Sequence, residues 1–200
     1  MTTTDLFHDG NRSLQDRFGS RGIADRLEEL ARTEFAPHDT SFIEESIYFF
    51  LATADAQGRP DVSHKGGPAG FVRVTGPSEL AFPDYDGNGM FRSLGNIGVN
   101  PNVSLLFIAM HGRPRRLRVV GTAKVLTDDP LMDTTVGAQL MVRVAVRAIF
   151  PNCPRYIPQM ELKAASPYVP VAAQEFLEPG WKSADWAKDV IHPRHPTYRG

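Results

Sequence analysis

From Ser13 to Glu34 apolar residues recur at Leu14, Phe18, Ile23, Leu27, Leu30 and Ala31, close to the period of an amphipathic helix. Asp39-Thr40-Ser41 ahead of Glu44 and Glu45 reads as a helix N-cap with acids in the first turn, where the helix dipole favours them. The pattern then changes. Ile47 to Ala54 (IYFFLATA) is a β-rich apolar run closed by the turn signal Asp55-Ala-Gln-Gly58, and Arg59 to His64 continues as the second strand of a hairpin. Phe71 to Thr75 and Glu79 to Phe82 follow as strands around Gly76-Pro77-Ser78. Met90 to Val99 predicts a short helix, stopped by Asn100-Pro101 because a residue before proline is pushed out of helical geometry. Val103 to Met110 and Arg116 to Leu126 predict strands joined near His111-Gly112, and Asp128-Asp129-Pro130 reads as the start of another helix. Val142 to Phe150 alternates apolar Val142, Val144, Val146 and Ala148 with Arg143, Ala145 and Arg147. Short strands, about six, with Gly- and Pro-rich turns predict a mainly β chain: a small antiparallel barrel with peripheral helices. Along the chain, 1–42 forms an N-terminal helical segment, 43–165 the barrel and 166–200 a Pro-rich extension, all within one structural domain.

Composition adds limits. At 200 residues with 42% hydrophobic and 22% charged side chains, the chain is a globule large enough to hold its own core. A single cysteine, Cys153, rules out an intrachain disulfide and a cysteine-based zinc finger. No apolar run is long enough for a membrane helix, and MTTTDLFHDG lacks the basic start and apolar core of a signal peptide, so a cytoplasmic location is expected. The net charge of −1 points to neither nucleic acid nor membrane as a partner.

The distribution of charge says more. No Asp or Glu occurs from Gly87 to Thr127, a span holding Arg92, Arg113, Arg115, Arg116, Arg118 and Lys124. A second acid-free run, Thr134 to Met160, holds Arg143, Arg147 and Arg155. Neighbouring arginines repel unless something negative sits among them, so these spans suggest an anion site; solvated strand faces balanced by the acidic N-terminal region are the plainer explanation.

Two segments carry candidate chemistry. Ser63-His64-Lys65-Gly66-Gly67-Pro68-Ala69-Gly70 places donors beside glycines that leave backbone open to a flat ligand or an anion; a tight turn with no ligand has the same composition. Neither a P-loop nor a dinucleotide-binding glycine fingerprint is present. In Asn88-Gly89-Met90-Phe91-Arg92-Ser93-Leu94-Gly95-Asn96, a helix starting near Asn88 would aim free amides and the Arg92 fork at one region, the makings of a phosphate site.

Together these segments resemble the pyridoxamine 5′-phosphate oxidase-like FMN-binding split barrels. The order is a strand ending Arg59-Pro60-x-x-Ser63-x-Lys65-Gly66, a helix carrying Arg92 and stopping at Asn100-Pro101, then the apolar strand VSLLFI. The likeness spans about Ile43 to Leu126, and RSLGNIGVNPNVSLLF is its most specific piece. It implies a six-stranded antiparallel Greek-key split β-barrel, a homodimer, and FMN bound in clefts between the subunits. Residue by residue, it implies that Arg92 anchors the FMN phosphate with Ser93 in the same grip and that Asn96 lies near the phosphate or ribityl end; Asn88, at the expected helix start, is a further candidate cofactor contact. Ser63, His64, Lys65 and Gly66 would run along the flavin ring, and Arg116 would reach the ring from the partner subunit. Ser93 replaces a lysine of true pyridoxamine phosphate oxidases, which removes one charge from the phosphate grip.

The C-terminal substrate signature of those oxidases, a Trp followed by an Arg-x-His-x-Arg motif, is absent from GWKSADWAKDVIHPRHPTYRG. Vitamin B6 oxidation is therefore not expected. The reading is an FMN-dependent oxidoreductase acting on an unidentified small molecule or a nicotinamide donor. Its rivals are a non-catalytic FMN-binding, storage or electron-relay protein, and the same barrel holding a deazaflavin or haem. Cys153, with Arg155 nearby to lower its pKa, is expected as a buried structural thiol more than as part of the pocket. His192 and His195 are set aside as a metal pair, because the proline between them breaks helical ligand spacing. No metal is expected.

Overall fold

The computed structural model describes residues 6–174 and 176–191. Three helices come first: α1 (Asp9–Arg17), α2 (Arg21–Glu29) and α3 (Pro37–Glu45). The strands are β1 (Tyr48–Ala54), β2 (Pro60–Gly66), β3 (Arg73–Gly76), β4 (Glu79–Asp84), β5 (Asn102–Ala109), β6 (Arg115–Leu126) and β7 (Leu140–Pro151), with α4 (Arg92–Val99) between β4 and β5. Every segment expected as a strand forms one, seven in all where the barrel was put at about six. The helical pattern from Ser13 to Glu34 is broken into two helices at Phe18 and Gly19, where Gly19 takes a φ of +63° open to glycine. Two smaller boundaries also move. The helix expected at Asp39 starts at Pro37, with the Asp39 carboxylate accepting from the Ala36 amide at 3.1 Å. The turn after Asp129 is a 3-10 helix capped by the Asp129 side chain.

The strands form one antiparallel sheet in the order β2-β1-β5-β6-β7-β4-β3. Phe49 of β1 lies in the core with its ring 5.2 Å from Phe107 of the neighbouring β5 and 5.0 Å from Phe82 of the distant β4. Strands four places apart can share a core contact only if the sheet curls back on itself. β2 and β3 stay unpaired with each other at the two edges, so the barrel is split. Gly121 helps the curl. The β6–β7 register shifts between Val120 and Gly121, and a Cβ on Gly121 would stand inside contact distance of the Ala145 carbonyl oxygen. The N-terminal segment is tied to the barrel where Arg32 exchanges backbone hydrogen bonds with Ile149 and its guanidinium meets buried Asp39 at 2.6 Å. Among the described residues, no helix is long and apolar enough to cross a membrane.

Candidate functional site

A cleft of about 430 Å³ opens between edge strand β2, the end of β4, the 85–91 loop and the start of α4. It is lined by seven of the nine candidate residues: Ser63, His64, Lys65, Gly66, Asn88, Arg92 and Ser93. Strand geometry separates Asp61 from Lys65 by about 13 Å, so the cleft suits an elongated ligand with two unlike ends.

At one end donors converge. The Ser63 and Ser93 hydroxyls are 2.9 Å apart, and Ser93 also donates to Asp61 at 3.3 Å. Arg92 donates only its Nε to Asp61, at 3.2 Å, which leaves the terminal nitrogens of an exposed guanidinium open. The helix begins at Arg92, four residues later than the Asn88 start expected. Phe91, at φ +47°, stands in the N-cap place with no side-chain cap, and the first amides of α4 are left to the cleft wall. A bulky residue in the left-handed region is strained, and strain of this kind concentrates at ligand-binding positions. Asn88 instead closes its own turn, accepting from the Met90 amide at 3.0 Å.

At the other end Lys65 reaches across the split to Asp84, at 3.4 Å. Burial pushes the Asp84 carboxyl above its ordinary range; Lys65 and a 3.3 Å hydrogen bond from Gln139 pull the other way. Burial also pushes the neighbouring Tyr85 hydroxyl up to about 12. His64 points to the opposite side of β2 from Lys65 and stacks on Tyr48 with centroids 5.6 Å apart. A Cβ on Gly66 would meet the His64 ring at 2.9 Å, so this glycine makes room for the histidine. Gly67 serves the core in the same way, since a Cβ there would be 2.5 Å from buried Phe71, and Gly70 takes a turn at φ +82°. Of the glycine run, only Gly66 borders the cleft.

Two candidate residues stand outside it. Asn96, one turn along α4, donates to buried Thr53 at 3.0 Å and fixes the helix to β1. Arg116, at the start of β6, donates to the Cys153 carbonyl, while its buried Nε has no partner within the described residues. Cys153 corrects an expectation: the thiol is exposed, and hydrogen bonding and charge from Arg155 hold it below the usual thiol range. The arginines of the acid-free spans disperse. Arg143 binds Asp129 and Glu79, Arg118 lies over Phe150, and Arg115 lies over Phe42. His192 and His195 lie outside the described residues, and no cluster of metal-ligating side chains occurs among the described ones.

Sequence reasoning missed Asp61, Asp84, Phe91 and Gln139 as cleft residues. The acid ending the apolar strand at Asp84 was the available signal, since a carboxylate closing a buried run needs a cationic partner.

Solved structures similar to the chain include HupZ of Group A Streptococcus, at 20% identity over 58% of this chain and 94% of that one, with a TM-score of 0.47. The heme storage protein HutZ of Vibrio cholerae is similar at 22% identity over 60% and 92%, with a TM-score of 0.40. An FMN-binding protein from Syntrophomonas wolfei is similar at 10% identity over 71% and 96%, with a TM-score of 0.44. No curated protein matches. The family model described as pyridoxamine 5′-phosphate oxidase matches residues 35–167, from the loop before α3 through all seven strands. That match covers well over half of a chain whose strands curl into a split barrel, and the chain belongs to the pyridoxamine 5′-phosphate oxidase family.

Proposed function

We propose that the chain is an FMN-dependent oxidoreductase that holds its flavin in the β2–β4–α4 cleft between two copies of itself. The observation that carries this reading is the polarity of the cleft along β2. Ser63, Ser93, the free edge of Arg92 and the uncapped start of α4 form an anion-accepting end, and Lys65 stands about 7 Å farther along β2 from Ser63, with Gly66 next to it, beside an open edge. A phosphate shares Arg92 with Asp61 there, since the guanidinium offers one side to each. Lys65 is placed to balance negative charge on a reduced ring, and the bound flavin supplies the electron chemistry itself.

The second copy is supported by an uncovered face. Strand register puts Val62, Ala52, Ser104 and Val120 in one row across four strands, and His64, Phe50, Leu106, Arg118 and Phe150 in the next. This face is turned away from the core, and Val62 is 68% exposed. Arg116 lies on it beside Ile108, in position to face a partner.

Purified protein titrated with FMN tests the reading. The expected result is saturable quenching of flavin fluorescence, the two-banded visible spectrum of a bound oxidised flavin, and bleaching of that spectrum by NADH or NADPH. Bleaching followed by recovery in air separates an enzyme from a storage protein. A haem Soret band, or a deazaflavin spectrum with no FMN uptake, overturns it. No pyridoxal 5′-phosphate should form from the amine under air, because the Arg-x-His-x-Arg clamp for that substrate is missing.

A further inference from the structure

A second pocket, of about 270 Å³, lies at the start of β1 and the end of β5, beside the 110–114 turn. Its walls divide by chemistry. Phe42, Ile47, Tyr48 and Ile108 give an apolar floor, and His111, Arg113 and Arg115 are set against one carboxylate, that of exposed Glu45. Arg115 is fixed: its guanidinium lies 4.4 Å over the Phe42 ring, donates to the His38 carbonyl at 3.0 Å and stands 3.7 Å from Asp39. Arg113 has no hydrogen bond or ion pair to any described residue. Burial pushes the Tyr48 hydroxyl above its usual range, so it is a proton donor at neutral pH. The Tyr48 ring that lines this pocket stacks on His64, on the side of β2 that points away from Lys65.

We infer that this pocket binds a small organic acid with an apolar body. The carboxylate or phosphate is held by Arg113 and Arg115, and the body lies on Tyr48 and Ile108. The volume is below the range of drug-sized sites and admits about one ring with its acid group. Two neighbouring guanidiniums, one already locked in place, can hold an acid by forked hydrogen bonds, which a neutral isostere cannot accept as well. This inference does not depend on the proposed flavin reading.

Calorimetric titration with benzoate, phenyl phosphate and neutral benzamide, at low salt, tests the pocket directly. Both acids are expected to bind, benzamide to bind at least about tenfold more weakly, and Arg113→Ser to weaken the acids at least about tenfold, the scale of one lost charged hydrogen bond. Arg113→Lys should recover part of the loss, and circular dichroism of the variants checks their fold. The tighter acid tells carboxylate from phosphate. Absence of binding by both acids, or equal binding by wild type and Arg113→Ser, overturns the pocket. Failure of FMN to bind while the acids still do would remove the flavin reading and leave the anion pocket standing.

Discussion

Arg92 presents its guanidinium from the first turn of α4 with only Nε engaged, so its remaining donors are available to a phosphate. Arg92→Ala should cost about 1.5–3 kcal/mol of FMN affinity, roughly a 10- to 150-fold rise in Kd by fluorescence quenching. Unchanged affinity would move the phosphate elsewhere. Asp84 permits a second test. Its folded-state pKa is raised, by burial first, so the folded chain binds the proton more tightly than the unfolded chain. Its contribution therefore favours folding at low pH and is lost as pH rises through the folded pKa. Asp84→Asn removes that loss, so the melting temperature of the variant relative to wild type should climb from pH 4 towards neutrality. A flat difference would show that Lys65 fully compensates the carboxylate. Ser63, Lys65, Arg92 and Ser93, singled out as donors and by the family resemblance, do come together in one cleft. Asp61 and Gln139 were not legible, since their cleft partners are distant in sequence, Arg92 and Ser93 for one and Asp84 and Tyr85 for the other.

Strands were the most legible elements, because a sheet buried on one face writes its alternation directly into the chain, as in the buried Phe49 and Leu51 of β1. Helix starts were less so. Asn88 has the chemistry of a cap, yet the helix begins at Arg92 because Asn88 spends its side chain on the Met90 amide. In α1 and α2 the period was visible but its meaning was not. Leu14, Phe18, Ile23 and Leu27 are between 51% and 75% exposed, since a period names a face without naming what covers it. The barrel was expected, but the place where the sheet bends was not, because it depends on the close approach of β6 to β7 at Gly121. Gly121→Ala should force these strands apart at the bulge and destabilise the fold by about 3 kcal/mol or more, read from denaturant midpoints. Wild-type stability in that variant would mean that the bulge relaxes without cost.

Among the described residues, apolar side chains stand at least partly exposed on two surfaces, the outer sheet face around Phe50, Leu106 and Val120 and the face of the N-terminal helices around Leu14, Ile23 and Leu27. Such surfaces on a chain with its own core are candidates for association, and a twofold pairing of one surface with itself is the commonest solution. The sheet face is the better candidate for that pairing. It is built on β2, whose residues also line the cleft, and it carries Arg116 with an unpartnered buried Nε. Pairing through it would bring a second chain beside edge strand β2 and so close to the cleft proposed to hold the flavin. Light scattering of flavin-loaded protein is accordingly expected to give twice the 22.1 kDa chain mass. Leu106→Glu, which puts a charge in the middle of the face and away from the cleft lining, should shift the mass to that of one chain and weaken FMN binding together with it. Arg116→Ala should weaken FMN binding while leaving the mass that of a pair, if this arginine reaches the partner's ring. A flavin-loaded species of one chain mass would place the whole cofactor site within a single barrel and exclude a role for Arg116 across the interface.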